Sequence, residues 1–135
     1  KTLHSSCIAI NDKGVLILGQ SGSGKSSLAL KLITLGARLV SDDKTIVEKQ
    51  GDRIIAKCPK RLWGLLEARG TGILKLPFDK STTLNFVVNL NKTEKMRLPF
   101  KKNYSLLDVD LKLINNSKAD IFAESIYMAC LYELT

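Results

Sequence analysis

The chain has 135 residues, 44% of them apolar and 25% charged, with Lys+Arg 21 against Asp+Glu 13 for a formal net charge of +8. That length suits one domain with a single core, and the apolar fraction excludes a disordered chain. No apolar run approaches the roughly 20 residues of a membrane span, and the basic residues form no arginine-rich stripe, RNP-like motif or helix-turn-helix spacing, so neither a membrane nor nucleic acid is an expected partner.

In chain order, Cys7 to Ile10 reads as a short apolar strand and Asn11-Asp12-Lys13-Gly14 as a tight turn, the residues that supply local hydrogen bonds and positive φ. Val15 to Leu18 is an uninterrupted β-rich run, a strand buried on both faces. Gly19 to Gly24 is a loop. Ser26 to Leu35 repeats Leu28, Ala29, Leu32, Ile33 and Leu35 at helical spacing and closes on Gly36. Arg38 to Ser41 forms a strand ending on Asp42-Asp43. Thr45 to Val47 and Arg53 to Ala56 flank Gln50-Gly51-Asp52 as a hairpin. Leu62 to Leu66 is expected to be a helical turn after Pro59, followed by Gly70-Thr71-Gly72 and Ile73-Leu74. Leu84 to Leu90 is a late strand, and Val109 to Leu113 alternates as a half-exposed one. Ala119 to Leu134 is a closing helix with Ile121, Phe122, Ser125, Ile126, Ala129 and Cys130 on its buried stripe. Strands outnumber helices in this reading, which makes one β-rich α/β domain spanning residues 1–135 rather than a doubly wound sheet.

Cys7, Cys58 and Cys130 are odd in number, far apart and without a CxxC partner, so free thiols in a reducing cytoplasm are expected rather than disulfides or structural zinc. The first residue is Lys1 rather than Met, which fits a chain that begins inside a longer product. The surplus positive charge suits a phosphate-bearing ligand or an acidic protein partner.

The motif that carries chemistry is Gly19-Gln20-Ser21-Gly22-Ser23-Gly24-Lys25-Ser26, a complete G-x-x-x-x-G-K-S with a strand before it and a helix after it. Its glycines let backbone N–H groups turn inward around phosphate oxygens, and the following helix aims its N-terminus at the same anion. The Lys25 ammonium reaches the β- and γ-phosphates, and the Ser26 hydroxyl is the Mg²⁺ ligand. Ser27 continues the phosphate-binding run into the helix. The loop alone does not separate ATPase, GTPase and kinase. Asn91-Lys92-Thr93-Glu94 has Glu where a guanine-reading N-K-x-D has Asp. Asp42 and Asp43 follow the loop's own helix by one strand, which sets two carboxylates beside the phosphates, where a kinase needs a base for its acceptor hydroxyl. Trp63 is expected to pack rather than stack on a base.

With His4, Gly14 to Leu18, the phosphate loop, Arg38 to Asp43 and Leu65-Leu66-Glu67-Ala68-Arg69-Gly70-Thr71-Gly72 falling in that order, the chain resembles the catalytic domain of bacterial HPr kinase/phosphorylase, in the short form found in proteobacteria. The resemblance implies a P-loop kinase fold related to phosphoenolpyruvate carboxykinase, with a β-rich mixed sheet and few helices. It implies a Mg²⁺-dependent phosphotransferase that moves the ATP γ-phosphate to a serine of HPr, the phosphocarrier of the phosphotransferase system, or of an HPr-like protein. It also implies a cytoplasmic enzyme that forms a homo-oligomer. Residue by residue it makes Lys25 the phosphate-binding lysine, Ser26 and Glu67 metal ligands, and Asp43 the base with Asp42 as metal or orienting partner, although neighbours at a strand end are exchangeable by sequence. His4, 21 residues before Lys25, and Arg97, after the late strand, complete the charge around the phosphates. Leu98-Pro99 matches the short form. Val109 to Ser117 lacks the prolines and the Gly-Arg-Asn that serve phosphorolysis, so the reverse reaction is not implied. Two rival readings are a nucleotide-binding regulatory module without transfer, against which Asp43 and Glu67 speak, and a small-molecule kinase or ATPase on the same scaffold.

Overall fold

The apolar run Val15 to Leu18 is the middle of the molecule. The computed structural model, which describes every residue from Lys1 to Thr135, places it in the second half of a hairpin, β2 (Ser5–Ile10) and β3 (Lys13–Leu18), with Asn11 at φ 55° in the intervening turn. Alternate side chains leave a strand on opposite faces. Ile8, Ile10, Val15 and Ile17 therefore join one hydrophobic cluster, while Cys7, Ala9 and Leu16 join a second on the other face. Both faces are covered, which explains an apolar run without alternation.

Ahead of the hairpin lies β1 (Thr2–Leu3). After it come α1 (Lys25–Leu35), β4 (Arg38–Ser41), β5 (Thr45–Gln50) and β6 (Arg53–Lys57), then a 3-10 turn at Lys60–Leu62. They are followed by β7 (Leu65–Ala68), β8 (Gly72–Lys75), β9 (Ser81–Thr93), β10 (Asn103–Leu106), β11 (Val109–Asn116) and α2 (Phe122–Leu131). The main sheet runs β1-β5-β6-β9-β3-β2-β4, with β11 also against β9 and β10 against β11. The 13-residue β9 is the shared strand: its first residues pair antiparallel with β6, and its middle pairs parallel with β3 on one edge and β11 on the other. The register slips by one residue at Asn85, so that Leu84 faces the second cluster and Phe86 the first. Both helices cover the first face, where Leu28, Leu32, Ile126 and Cys130 pack with the sheet. The mixed sheet with two helices is the β-rich α/β architecture expected from the sequence.

Two expectations are corrected. Leu62 to Leu66 is no helical turn: the 3-10 turn ends at Leu62, Gly64 takes φ 74°, and Leu65 already starts β7, which pairs with β8 as a separate two-stranded ribbon. The leucine spacing imitates a helix, but the ribbon buries Leu66 against the core while Glu67 faces outward. The closing helix is shorter than expected, and its buried stripe is Ala123, Ile126, Ala129 and Cys130, with Ile121 64% exposed ahead of the first turn and Ser125 bonding back to the Ile121 carbonyl. Trp63 packs as expected, its ring 5.6 Å from that of Phe78 and its Nε1–H donating to the Cys58 carbonyl. All three cysteines are free and buried.

Candidate active site

The hairpin and β4 lie side by side, so the loop leaving β3 and the turn leaving β4 meet at one end of the sheet. The loop from Gly19 wraps to Gly24, whose φ of 99° opens α1 without any side-chain cap and with no acidic residue in the first turn. Its backbone donors are thus free for an anion. Lys25 is 8% exposed, and its Nζ donates to the carbonyls of Gly19 at 2.8 Å and Gln20 at 3.1 Å, folding the loop over its own ammonium.

The two neighbouring carboxylates occupy different environments. Asp42 is 6% exposed. Its Oδ1 accepts the hydroxyls of Ser6 and Ser26, each at 2.8 Å, and its Oδ2 accepts the Glu67 N–H at 3.1 Å. Asp43 takes φ 75°, a left-handed conformation that Asp tolerates in turns, and its side chain stays out in solvent, 61% exposed. Its Oδ1 lies 2.6 Å from His4 Nε2. The turn is locked from beneath: Ser5 N–H donates to the Asp43 carbonyl, Ser41 Oγ and Thr45 Oγ1 bond at 2.6 Å, and Thr45 Oγ1 donates to the Ser5 carbonyl.

A cleft of about 420 Å³ joins these groups, lined among others by His4, Lys25, Ser26, Asp42, Asp43 and Glu67. Ser21, Gly22, Gly24 and Ser27 of the phosphate loop and Arg69 of the β7–β8 ribbon also line it. Gly19, Gln20 and Ser23 belong to the loop but not to this lining. Arg97 is exposed in the loop after β9, whose ends are tied by the Glu94–Lys102 ion pair at 2.8 Å, and it does not line the cleft. That leaves one anionic wall and one cationic loop facing each other across a polyphosphate-sized space. The oxygen-only donors Ser26, Asp42 and Glu67 suit a hard divalent cation.

Sequence reading missed two residues of this arrangement. Ser6, the second residue of β2, reaches the Asp42 carboxylate, and His4, in the bend between β1 and β2, reaches Asp43; starting the strand at Cys7 left Ser6 outside it. Asn91, past the middle of β9, accepts the Gln20 N–H on its Oδ1 at 2.9 Å, and its own N–H donates to Asn89 Oδ1. Only the parallel pairing of β9 with β3 brings it to the loop, and nothing local in sequence announces that pairing.

The family model of the HPr Serine kinase C-terminal domain matches residues 1–121. The chain is 37% identical over 131 residues to the HPr kinase/phosphorylase of Xanthomonas campestris pv. campestris, covering 84% of this chain and 41% of that protein. It is 35% identical over 95 residues to the HPr kinase/phosphorylase of Malacoplasma penetrans, covering 65% of this chain and 32% of that one. The chain therefore spans less than half the length of the curated relatives it matches. Among solved structures, the HPr(Ser) kinase/phosphatase from Coxiella burnetii superposes with a TM-score of 0.82 at 27% identity, over 95% of this chain and 92% of that one.

Proposed function

Because the chain belongs to the family of HPr serine kinase C-terminal domains, we propose that it transfers the γ-phosphate of ATP to a serine of HPr or an HPr-like phosphocarrier, as a cytoplasmic homo-oligomer dependent on Mg²⁺. The observation that carries the reading is the division between the two carboxylates: one buried under the loop serine, the other exposed in the same cleft and bonded to a histidine.

Ser26, Asp42 and Glu67 would hold Mg²⁺, which when bound neutralises charge on the β- and γ-phosphate oxygens. The Lys25 ammonium exchanges its two carbonyl partners for phosphate oxygens, and the backbone donors from Ser21 to Ser26 cradle the rest. Asp43 accepts the proton of the acceptor serine as the serine oxygen bonds to the γ-phosphorus and the bond to the bridging oxygen breaks, with ADP leaving. His4 holds the Asp43 carboxylate toward the cleft and stabilises its charge. Arg69, on the rim, faces the acceptor with positive charge. The forward reaction alone is proposed.

The test is transfer from γ-labelled ATP and Mg²⁺ to purified HPr, with an HPr variant whose acceptor serine is Ala as control. Label on wild-type HPr and none on the variant is the expected result. Release of free phosphate without labelled carrier would overturn the proposal in favour of an ATPase.

A further inference from the structure

Around Trp63 the chain gathers positive charge that the reaction cleft does not use. Lys60, on the 3-10 turn, and Lys80, just ahead of β9, bring their ammonium groups to 5.8 Å and 5.0 Å from the centre of the Trp63 ring. Arg61 is exposed on the same turn as Lys60. No carboxylate pairs with any of the three, whereas Lys57, opposite Ser81 in the sheet, is paired with Glu48 at 2.7 Å. Like charges gathered this way repel, and within the chain only the aromatic ring offsets that repulsion. The support beneath them is fixed. Trp63 Nε1–H donates to the Cys58 carbonyl at 3.0 Å, the Trp63 ring lies 5.6 Å from that of Phe78, and Arg38 donates to the Phe78 carbonyl at 2.9 Å. Unpaired cations on a rigid platform are preorganised for an anionic surface.

We infer that Lys60, Arg61 and Lys80 form a docking site, outside the reaction cleft, for an acidic face of the acceptor protein. The inference rests on the proposed kinase reading, which brings the acceptor serine to Asp43. From Trp63, β7 carries the chain to Glu67 in the cleft, roughly 13 Å in extended form. A standard protein interface covers about 800 Å² on each partner, a patch roughly 28 Å across. The cluster therefore falls within the footprint of a folded acceptor whose serine sits in the cleft. Trp63 is half-buried, with two ammonium groups and Phe78 against it, so it has no open face on which a nucleobase could stack. That favours a carboxylate-bearing protein surface over a nucleic acid. Charge complementarity of this kind speeds and orients encounter and leaves the chemical step alone.

Steady-state transfer from Mg·ATP to purified HPr, at low and high salt, tests it on the whole chain. The double variant Lys60→Glu with Lys80→Glu is expected to raise the KM for HPr about tenfold at low salt, with kcat and the KM for Mg·ATP unchanged. High salt is expected to raise the wild-type KM toward that of the variant. Lys60→Arg with Lys80→Arg keeps the charge and is expected to keep the wild-type KM. Lys49→Glu with Arg53→Glu makes the same change of net charge at the exposed tip of the β5–β6 hairpin and is expected to change the KM less than twofold. An unaltered thermal midpoint reports an intact fold in each variant. An unchanged KM for HPr in the Lys60 and Lys80 reversal, an equal rise in the hairpin reversal, or a loss confined to kcat would overturn the docking site while leaving the kinase reading in place. Failure of the wild type to label HPr would overturn both.

Discussion

Asp42 and Asp43 are adjacent and chemically identical, yet only one of them is expected to matter for stability. Replacing Asp42 by Ala leaves the hydroxyls of Ser6 and Ser26 and the Glu67 N–H without their acceptor. At about 1–3 kcal/mol for each buried group left unpaired, with partial relief from entering water, a loss of about 2–4 kcal/mol is expected in a denaturant titration. Asp43→Asn, at an exposed position, is expected to stay within about 0.5 kcal/mol of wild type in the same titration. His4→Ala is expected to slow transfer about tenfold by freeing the Asp43 carboxylate, without weakening nucleotide binding; a change in binding alone would contradict the orienting role. The residue types of the site were legible because a phosphate loop is a backbone device with a fixed glycine and lysine spacing. Which aspartate plays which part was not legible, since that follows from the left-handed φ of Asp43 and the burial of its neighbour.

At the scale of elements, β9 joins the rest of the sheet by pairing with β3, β6 and β11. A Cβ at Gly14 would lie 2.6 Å from Thr82 Cγ2 and 2.7 Å from the Thr83 carbonyl, where β3 first meets β9. Gly14→Ala is expected to cost about 1–3 kcal/mol by forcing these strands apart, measured as a lower denaturant midpoint. The other end of the same pairing carries the Asn91 bond to the loop. Removing it with Asn91→Ala costs about 1 kcal/mol of loop order, which is expected to weaken nucleotide binding several-fold by calorimetry while the fold is unchanged. Strands with strong apolar runs, such as β2, β3 and β4, were legible to within a few residues. The two-residue β1 and the polar β10 were not, because an edge strand of Thr-Leu or Asn-Tyr-Ser-Leu has too little hydrophobic pattern to differ from a loop. β7 was misread because its leucines repeat at a spacing that also fits a helix, and only the partner strand β8 decides between them.

Across the whole molecule, the sheet is packed on both faces, and this sets the behaviour of the three thiols. Burial pushes Cys58 and Cys130 up to about 11, and Cys7, wholly enclosed between strands, higher still. The unfolded chain ionises its thiols near 9 while the folded one keeps them neutral, so the unfolded state gains as pH rises. Stability is therefore expected to be undiminished by these groups below about pH 9 and to fall between about pH 9 and 11. Thermal midpoints across that range should fall less steeply for Cys130→Ala than for wild type, and equal slopes would contradict the assignment. Within the sheet, the pairing of β2 with both β3 and β4 brings the ends of those two strands together, and with them the loop and the carboxylate turn that the sequence holds a helix apart.

The adjacent carboxylates are proposed to divide the labour, Asp42 holding the metal-bound phosphates and Asp43 taking the acceptor's proton. The most direct measurement is single-turnover transfer from γ-labelled ATP to HPr, run with Mg·ATP binding, for Asp42→Asn and Asp43→Asn side by side. Asp43→Asn is predicted to bind Mg·ATP as wild type does and to transfer at least about 100-fold more slowly, whereas Asp42→Asn is predicted to lose Mg²⁺-dependent binding first. Normal transfer by Asp43→Asn, or normal binding with no transfer by Asp42→Asn, would contradict the account.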